Sequence, residues 1–295
     1  MAESFPDPTV SMAYLNGRLI PLREAHISVA DGGLLYGVGF FETFRTSGGR
    51  PHLWPFHEAR LIRSCARAGI MIPETFLVST EAAMRKAVSA CLRENGQGDA
   101  VFRYTITSGD ERGPTELMTT RPLPETTGDS EICLRVLKVR RDSGEWIPRP
   151  KSVNYLNATL GLRELRSRKI PAADEGLFLS REGDMVVETP RQNLAWIVGD
   201  EIRVAADSAG AVAGTCQAWM HSLGHAISPV RSTLSDFLRA DAIVCLNSVR
   251  GFTPVREVWD EDDARCLGRF PSAAHPLVRQ LQREWQDGLL LTAQS

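Results

Sequence analysis

No run of apolar residues in this 295-residue chain approaches the ~20 needed to cross a bilayer, so no membrane-spanning helix is expected. Cysteine is sparse. Cys65, Cys91, Cys133, Cys216, Cys245 and Cys266 are scattered and form no C-x-x-C pair. That spacing argues against a disulfide framework and for reduced thiols in a cytoplasmic protein. An excess of one charge is also missing: 34 Lys and Arg stand against 36 Asp and Glu, a formal net charge of −2. This argues against a broad electrostatic footprint for nucleic acid or a membrane surface. There is no internal repeat and no low-complexity tract. Met1 to Ser11 lack the apolar centre of a signal peptide and read as a frayed tail over 1–12. No metal site is expected. His221 and His225 stand four apart on a predicted helix, but the metalloprotease glutamate is absent between them. Gly37-x-Gly39 lacks the later glycine of a dinucleotide fingerprint. Trp146, Trp196, Trp219 and Trp285 read as packing residues.

What is present is a globular composition, 43% hydrophobic and 24% charged, with enough apolar residues for a sizeable core. The spacing predicts strands at Tyr14–Ile20, Phe40–Arg45 and Val101–Thr107, with helices at His57–Ile70 and Ser79–Asn95. In Val101–Thr107 the residues Phe102, Tyr104 and Ile106 face one way and Arg103 the other. Gly32, Gly33, Gly37 and Gly39 predict a tight loop, and Gly109 to Leu123 a polar one. In the second half, strands are expected near Glu131–Val139, Gly176–Ser180, Met185–Glu188, Leu194–Val198, Glu201–Ala205 and Ala242–Leu246. Helices are expected from Tyr155 to Lys169, from Gly214 to His225 and after Pro276. Helices and strands mix without regular alternation, which gives an α+β fold. The expected division is a small domain over 13–122, a linker over 123–130 and a larger domain over 131–295.

Two segments could carry chemistry: Lys151-Ser152-Val153-Asn154-Tyr155 and Val187-Glu188 through Asn193. A deprotonated lysine attacks an aldehyde, and desolvation or neighbouring positive charge favours that state. A carboxylate beside a pyridine nitrogen keeps the nitrogen protonated and makes the ring an electron sink. Taken singly, Lys151 reads as a solvated residue after Pro148 and Pro150, and Glu188 as a strand-end carboxylate. Arg60 could grip a phosphate bidentately or be an exposed helix charge. Val212-Ala213-Gly214-Thr215-Cys216 leads into a helix whose first N–H groups could bind an anion; it could also be a plain glycine turn. Asn247-Ser248 offers polar groups at a strand end, or a simple loop.

In order and spacing, from Tyr14 to about Val255, these segments resemble the class IV aminotransferase (fold-type IV) family of pyridoxal-phosphate enzymes. The motifs are Tyr36-Gly37-Val38-Gly39-Phe40-Phe41-Glu42-Thr43, His57-Glu58-Ala59-Arg60-Leu61, Lys151-Ser152-Val153-Asn154-Tyr155, Asp174-Glu175-Gly176-Leu177, Val187-Glu188 with Asn193, and Gly214-Thr215-Cys216. The resemblance implies a small N-terminal α/β domain and a larger C-terminal mixed α/β, barrel-like domain. It implies pyridoxal 5′-phosphate as cofactor, with Lys151 forming the Schiff base and shuttling the proton while Glu188 pairs with the pyridinium. Arg60, the Gly214-Thr215-Cys216 turn and Asn247-Ser248 would hold the phosphate. It also implies a homodimer acting on a small amino substrate. Three departures stand out: Asp31-Gly32-Gly33 where the family has Asp-Arg-Gly, Gly37-Val38-Gly39 where it has Gly-Asp-Gly, and Gly214-Thr215-Cys216-Gln217 where it has Gly-Ile-Thr-Arg. Thr189-Pro190-Arg191 also replaces the small residues that usually follow the glutamate.

Within the family, Phe41-Glu42-Thr43 and Asn247-Ser248-Val249-Arg250-Gly251 look most like the aminodeoxychorismate lyases, which release pyruvate and 4-aminobenzoate on the folate route. That likeness implies substrate contacts from Phe41, Arg103, Arg112 and Arg250, arginines being suited to a dicarboxylate. Two alternatives stay open: a transaminase of D-amino or branched-chain amino acids, and a non-catalytic cofactor-binding paralogue. Phe41, where the D-amino acid enzymes carry tyrosine, leans away from the D-amino version.

Overall fold

A computed structural model describes residues 11–124, 131–142, 144, 146–168, 170–171 and 174–294. The expected tail as far as residue 10, and residues 125–130 of the expected linker, lie outside the described residues. The chain divides into two compact units. The first takes in the described residues within Ala2–Glu125, Lys151–Asn154 and Asp287–Ser295, the second those within Thr126–Pro150 and Tyr155–Gln286.

The first unit contains β1 (Met12–Leu15), β2 (Arg18–Pro21), α1 (Gly32–Tyr36), β3 (Gly39–Ser47), β4 (Arg50–Pro51), α2 (Trp54–Arg67), α3 (Glu81–Glu94), β5 (Ala100–Asp110) and β6 (Gly113–Pro122). Its strands form one antiparallel sheet in the order β2-β1-β6-β5-β3-β4. Asn16 and Gly17 both take positive φ (45° and 83°), the conformation a two-residue hairpin demands. The expected Tyr14–Ile20 strand is therefore a hairpin. The expected glycine loop contains one helical turn. Asp31 accepts the Gly33 N–H at 2.7 Å and starts α1, and Gly37, at φ 69°, ends it.

The expected polar loop over Gly109 to Leu123 is corrected to β6, a ten-residue strand paired along β5. Threonine favours the pleated strand, and Thr115, Thr119 and Thr120 lie in it. Its inward positions Glu116, Met118 and Thr120 are buried, but a carboxylate among them hides the alternation. Glu116 accepts the Tyr104 hydroxyl and, at 2.5 Å, the Leu77 N–H. Burial raises its pKa.

One face of this sheet carries Phe40, Glu42, Phe44, Phe102, Tyr104 and Ile106, all buried. Helix α2 packs there, with Trp54 edge-on to Phe44 at 5.3 Å, while Phe44 stacks on Phe102 at 5.4 Å. Thr43 pairs with Arg103 and Phe41 with Thr105 on the opposite face. The segment Lys151–Asn154 runs along the start of β3. The Phe41 N–H donates to the Lys151 carbonyl at 2.9 Å, the Val153 N–H donates to the Gly39 carbonyl at 2.9 Å, and Phe40 bridges Ser152.

The second unit contains β7 (Ile132–Val136), α4 (Leu156–Ser167), β8 (Glu175–Leu177), β9 (Asn193–Val198), β10 (Glu201–Ala205), α5 (Thr215–Ser222), β11 (Ile227–Val230), α6 (Leu234–Phe237), β12 (Ala242–Asn247), β13 (Gly251–Trp259), β14 (Cys266–Arg269) and most of α7 (Pro276–Gln294). Its mixed sheet runs β11-β10-β9-β12-β13-β7-β8, with β14 on β13. The core joins Leu134, Phe178, Val187, Leu194, Trp196, Ile243 and Val255. The expected strand at Met185–Glu188 exists only as isolated bridges, Leu179 to Val186 and Met185 to Thr233. Helix α5 stops at Ser222, short of the expected His225, because Gly224 turns the chain at φ 90°. His225 instead meets Glu284 at 2.7 Å.

Candidate active site

In the first unit, backbone pairing to β3 fixes Lys151 beside the buried Phe41 ring. Lys151 Nζ lies 4.6 Å from the ring centroid and Arg103 Cζ lies 3.5 Å from it, so one aromatic ring carries two cations. Arg103 projects from the solvent-facing side of β5, while Phe102, Tyr104 and Ile106 are fully buried on the other. The alternation in the sequence placed it correctly.

Behind β3 lies a buried ionic cluster. Arg60, from α2, donates Nε to Glu42 Oε1 at 2.8 Å and Nη2 to Glu42 Oε2 at 2.5 Å. His57 Nδ1 meets the same Oε2 at 2.6 Å. Burial pushes the Glu42 carboxyl up, but the charge and fork of Arg60 and the His57 hydrogen bond outweigh it and hold it at about 2. Burial pushes His57 down, and the hydrogen bond to Glu42 opposes this only in part. The trio is a carboxylate, a guanidinium and a neutral imidazole. Arg60 is thus an anchored cation and not an exposed helix charge.

In the second unit, Glu188 is buried and held at both oxygens. Oε1 accepts Arg141 Nη2 at 2.5 Å. Oε2 accepts the Val212 N–H at 2.9 Å and Asn193 Nδ2 at 3.1 Å. Arg141 also donates to Asn157 Oδ1 at 3.0 Å and lies 4.6 Å over the Phe178 ring. Every polar neighbour is a donor, as an ionised acceptor requires. Asn193 donates further to the Val212 carbonyl at 2.8 Å. A Cβ on Gly214 would sit 2.5 Å from Asn193 Oδ1, so only glycine fits there. Glu188 and the turn leading into α5 are therefore one rigid piece. Thr215 and Cys216 begin α5, and Gln217 Oε1 accepts the Gly214 N–H at 3.1 Å.

The remaining expected residues have local duties. Asn247 Oδ1 accepts the N–H groups of Val249 and Arg250 at 2.9 and 2.8 Å and closes the β12–β13 turn; its Nδ2 donates to Gln192 at 3.0 Å. Ser248 is buried beside it. Arg112 stands at the β5–β6 tip, bound to Asp110 at 2.6 and 3.1 Å, its side chain 78% exposed. Arg250 is half-buried in the Asn247 turn.

Two departures from the family pattern acquire reasons. A Cβ on Gly32 would approach Ser108 Oγ to 2.1 Å. Arg191 pairs with the buried Glu175 at 2.5 Å, so a long cation is needed there. Sequence reasoning missed Arg141, which follows no periodic signal. It also missed the duty of Glu42, whose place between Phe40 and Phe44 on the inward side of a strand was a usable signal: a carboxylate there must be paired.

The donor set suits pyridoxal phosphate. Glu188 offers a fixed acceptor for a protonated ring nitrogen, and a helix start that admits only glycine at its cap suits a phosphate. Comparison with known proteins agrees. The family model for amino-transferase class IV matches residues 39–258. The chain belongs to the class IV aminotransferase family. Members are pyridoxal-phosphate-dependent lyases and transaminases, and the chain is an enzyme of that kind. It is 28% identical to the aminodeoxychorismate lyase of Bacillus subtilis (strain 168), over 91% of this chain and 94% of that protein. It is 29% identical to a putative branched-chain-amino-acid aminotransferase of Methanocaldococcus jannaschii, over 93% and 95%. Its fold matches the crystal structure of a 4-amino-4-deoxychorismate lyase from Pseudomonas aeruginosa with a TM-score of 0.75 and 24% identity, covering 93% of this chain and 98% of that one. The α+β, fold-type IV architecture is thereby shown.

Proposed function

We propose that the chain is a pyridoxal-phosphate-dependent lyase that converts 4-amino-4-deoxychorismate to 4-aminobenzoate and pyruvate. The observation that supports it most is the Phe41 ring with Lys151 and Arg103 both over it. A guanidinium beside the reacting lysine suits a substrate that carries carboxylates.

Bound cofactor would supply a carbonyl that captures an amine and a ring that accepts an electron pair. Lys151 gives way at that carbonyl to the ring amine of the substrate, then takes the proton from the carbon bearing the amine. Glu188, held by Arg141, Asn193 and the Val212 N–H, keeps a proton on the cofactor's ring nitrogen. The C–O bond to the enolpyruvyl group breaks, pyruvate leaves as its enol, and the carbon ring becomes aromatic. No co-reactant is required. Arg103 pairs with a substrate carboxylate, and Arg112 and Arg250 are further candidates. Arg60, the Thr215 and Cys216 N–H groups and the Asn247-Ser248 turn hold the phosphate. The same reading takes the enzyme as a cytoplasmic homodimer, an expectation that free thiols at all six cysteines suit.

The test is incubation of the reconstituted protein with 4-amino-4-deoxychorismate and no keto acid, following 4-aminobenzoate by fluorescence. Catalytic formation of product is expected. Failure, together with amino transfer from a branched-chain or D-amino acid to a keto acid, would replace the lyase by a transaminase.

A further inference from the structure

Among the buried groups, the Glu42–His57–Arg60 cluster has no part in the chemistry above except through Arg60. The fork from Glu42 uses the Nε–Nη2 edge of the guanidinium and turns the Nη1 edge away from the carboxylate. The side chains of Glu42 and His57 are 1% and 0% exposed, and that of Arg60 is 10% exposed. Only the arginine reaches the surface of the cluster. His57 holds the Glu42 oxygen that also carries Nη2, and its own ring lies 5.9 Å from Phe44. Its Nε2 is buried without a hydrogen-bond partner among the described residues.

The geometry points to Glu42 as a positioning residue that, with His57, sets the orientation of Arg60 toward a phosphate monoester. This rests on the reading of Arg60 as a phosphate ligand. A guanidinium on a flexible stem must lose rotamer freedom to grip a phosphate, and a buried bidentate anchor removes that cost in advance. Opposed to this, the carboxylate cancels one positive charge near the anion. Glu42→Asp separates the two effects, because it keeps the charge and withdraws the carboxylate by one methylene. Glu42→Gln removes the charge.

The experiment measures binding of pyridoxal 5′-phosphate and of pyridoxal to the full chain, by absorbance titration, with thermal midpoints recorded for each variant. Glu42→Asp is expected to weaken the phosphate-bearing form about tenfold and to leave pyridoxal unchanged. Glu42→Gln is expected to weaken it as well. His57→Gln, which leaves the fork in place, is expected to give the same selective loss at about two- to threefold, and serves if neither Glu42 variant folds. Equal loss of both ligands, wild-type binding by Glu42→Asp, or tighter phosphate binding by Glu42→Gln would overturn the inference alone. A wild-type chain that does not prefer the phosphate-bearing form would overturn the role of Arg60, and this inference with it.

Discussion

Replacing Arg141 by methionine tests whether Glu188 is held as an ionised, paired carboxylate before any cofactor binds. The pair is buried on both sides, 7% and 5% exposed, at 2.5 Å. Breaking such a pair by removing one partner costs about 3–5 kcal/mol, because the other charge is left uncompensated. Glu188 keeps two N–H donors on Oε2 after the change, which places the loss near the lower figure, about 3 kcal/mol. For a unit of this size that is a fall of about 6–12 °C in the thermal midpoint. Glu188→Gln strands Arg141 in the same way and should cost a similar amount. The double variant Arg141→Met, Glu188→Gln strands neither charge. Its loss should fall short of the summed single losses by about 2 kcal/mol. Thermal melts of the four cofactor-free proteins provide the cycle. Additivity within about 0.5 kcal/mol would refute the pairing.

Three further outcomes are expected. Lys151→Ala should abolish turnover while leaving the melt of the cofactor-free chain within a few degrees, since its backbone and not its side chain pairs with β3; residual activity near wild type would end the proposal. Gly214→Ala should weaken cofactor binding by tenfold or more, roughly the cost of misplacing a ligand shell by an ångström, because the new methyl meets Asn193 Oδ1; unchanged affinity in a titration would show that the turn yields freely. His52 is pushed down to about 3, by burial first and then by the charges of Arg45 and His57. The unfolded chain, with this histidine near its ordinary 6.5, binds the proton first as pH falls. Stability should therefore decline between about pH 6.5 and 3 by up to ~1.4 kcal/mol per pH unit. His52→Gln should flatten that slope in urea titrations, and an unaltered slope would assign it elsewhere.

Periodicity served well where one face was plainly apolar, as in α3, whose Met84, Val88, Cys91 and Leu92 are all buried as expected. It failed where polar residues face inward. Glu116 within β6 made a strand look like a loop, although Tyr104 and the Leu77 N–H satisfy it. It also failed where pairing is distant in sequence. Phe41 and Lys151 are 110 positions apart, and no local pattern tells that one donates to the backbone of the other. The candidate lysine, carboxylate and glycine turn were legible as motifs. What ties Glu188 to the turn, through Asn193 and Val212, and what holds Arg60, through Glu42, depends on contacts that only the folded chain makes.

The chain contains only four lysines, Lys86, Lys138, Lys151 and Lys169. Lys86 is exposed on α3, and Lys138 is exposed and paired with Asp262 at 2.6 Å. Borohydride reduction of the protein loaded with pyridoxal 5′-phosphate, followed by peptide mass mapping, therefore tests the central claim with little ambiguity. A single pyridoxyl group on Lys151 is predicted. A label on Lys86, Lys138 or Lys169 with Lys151 unmodified would contradict the account.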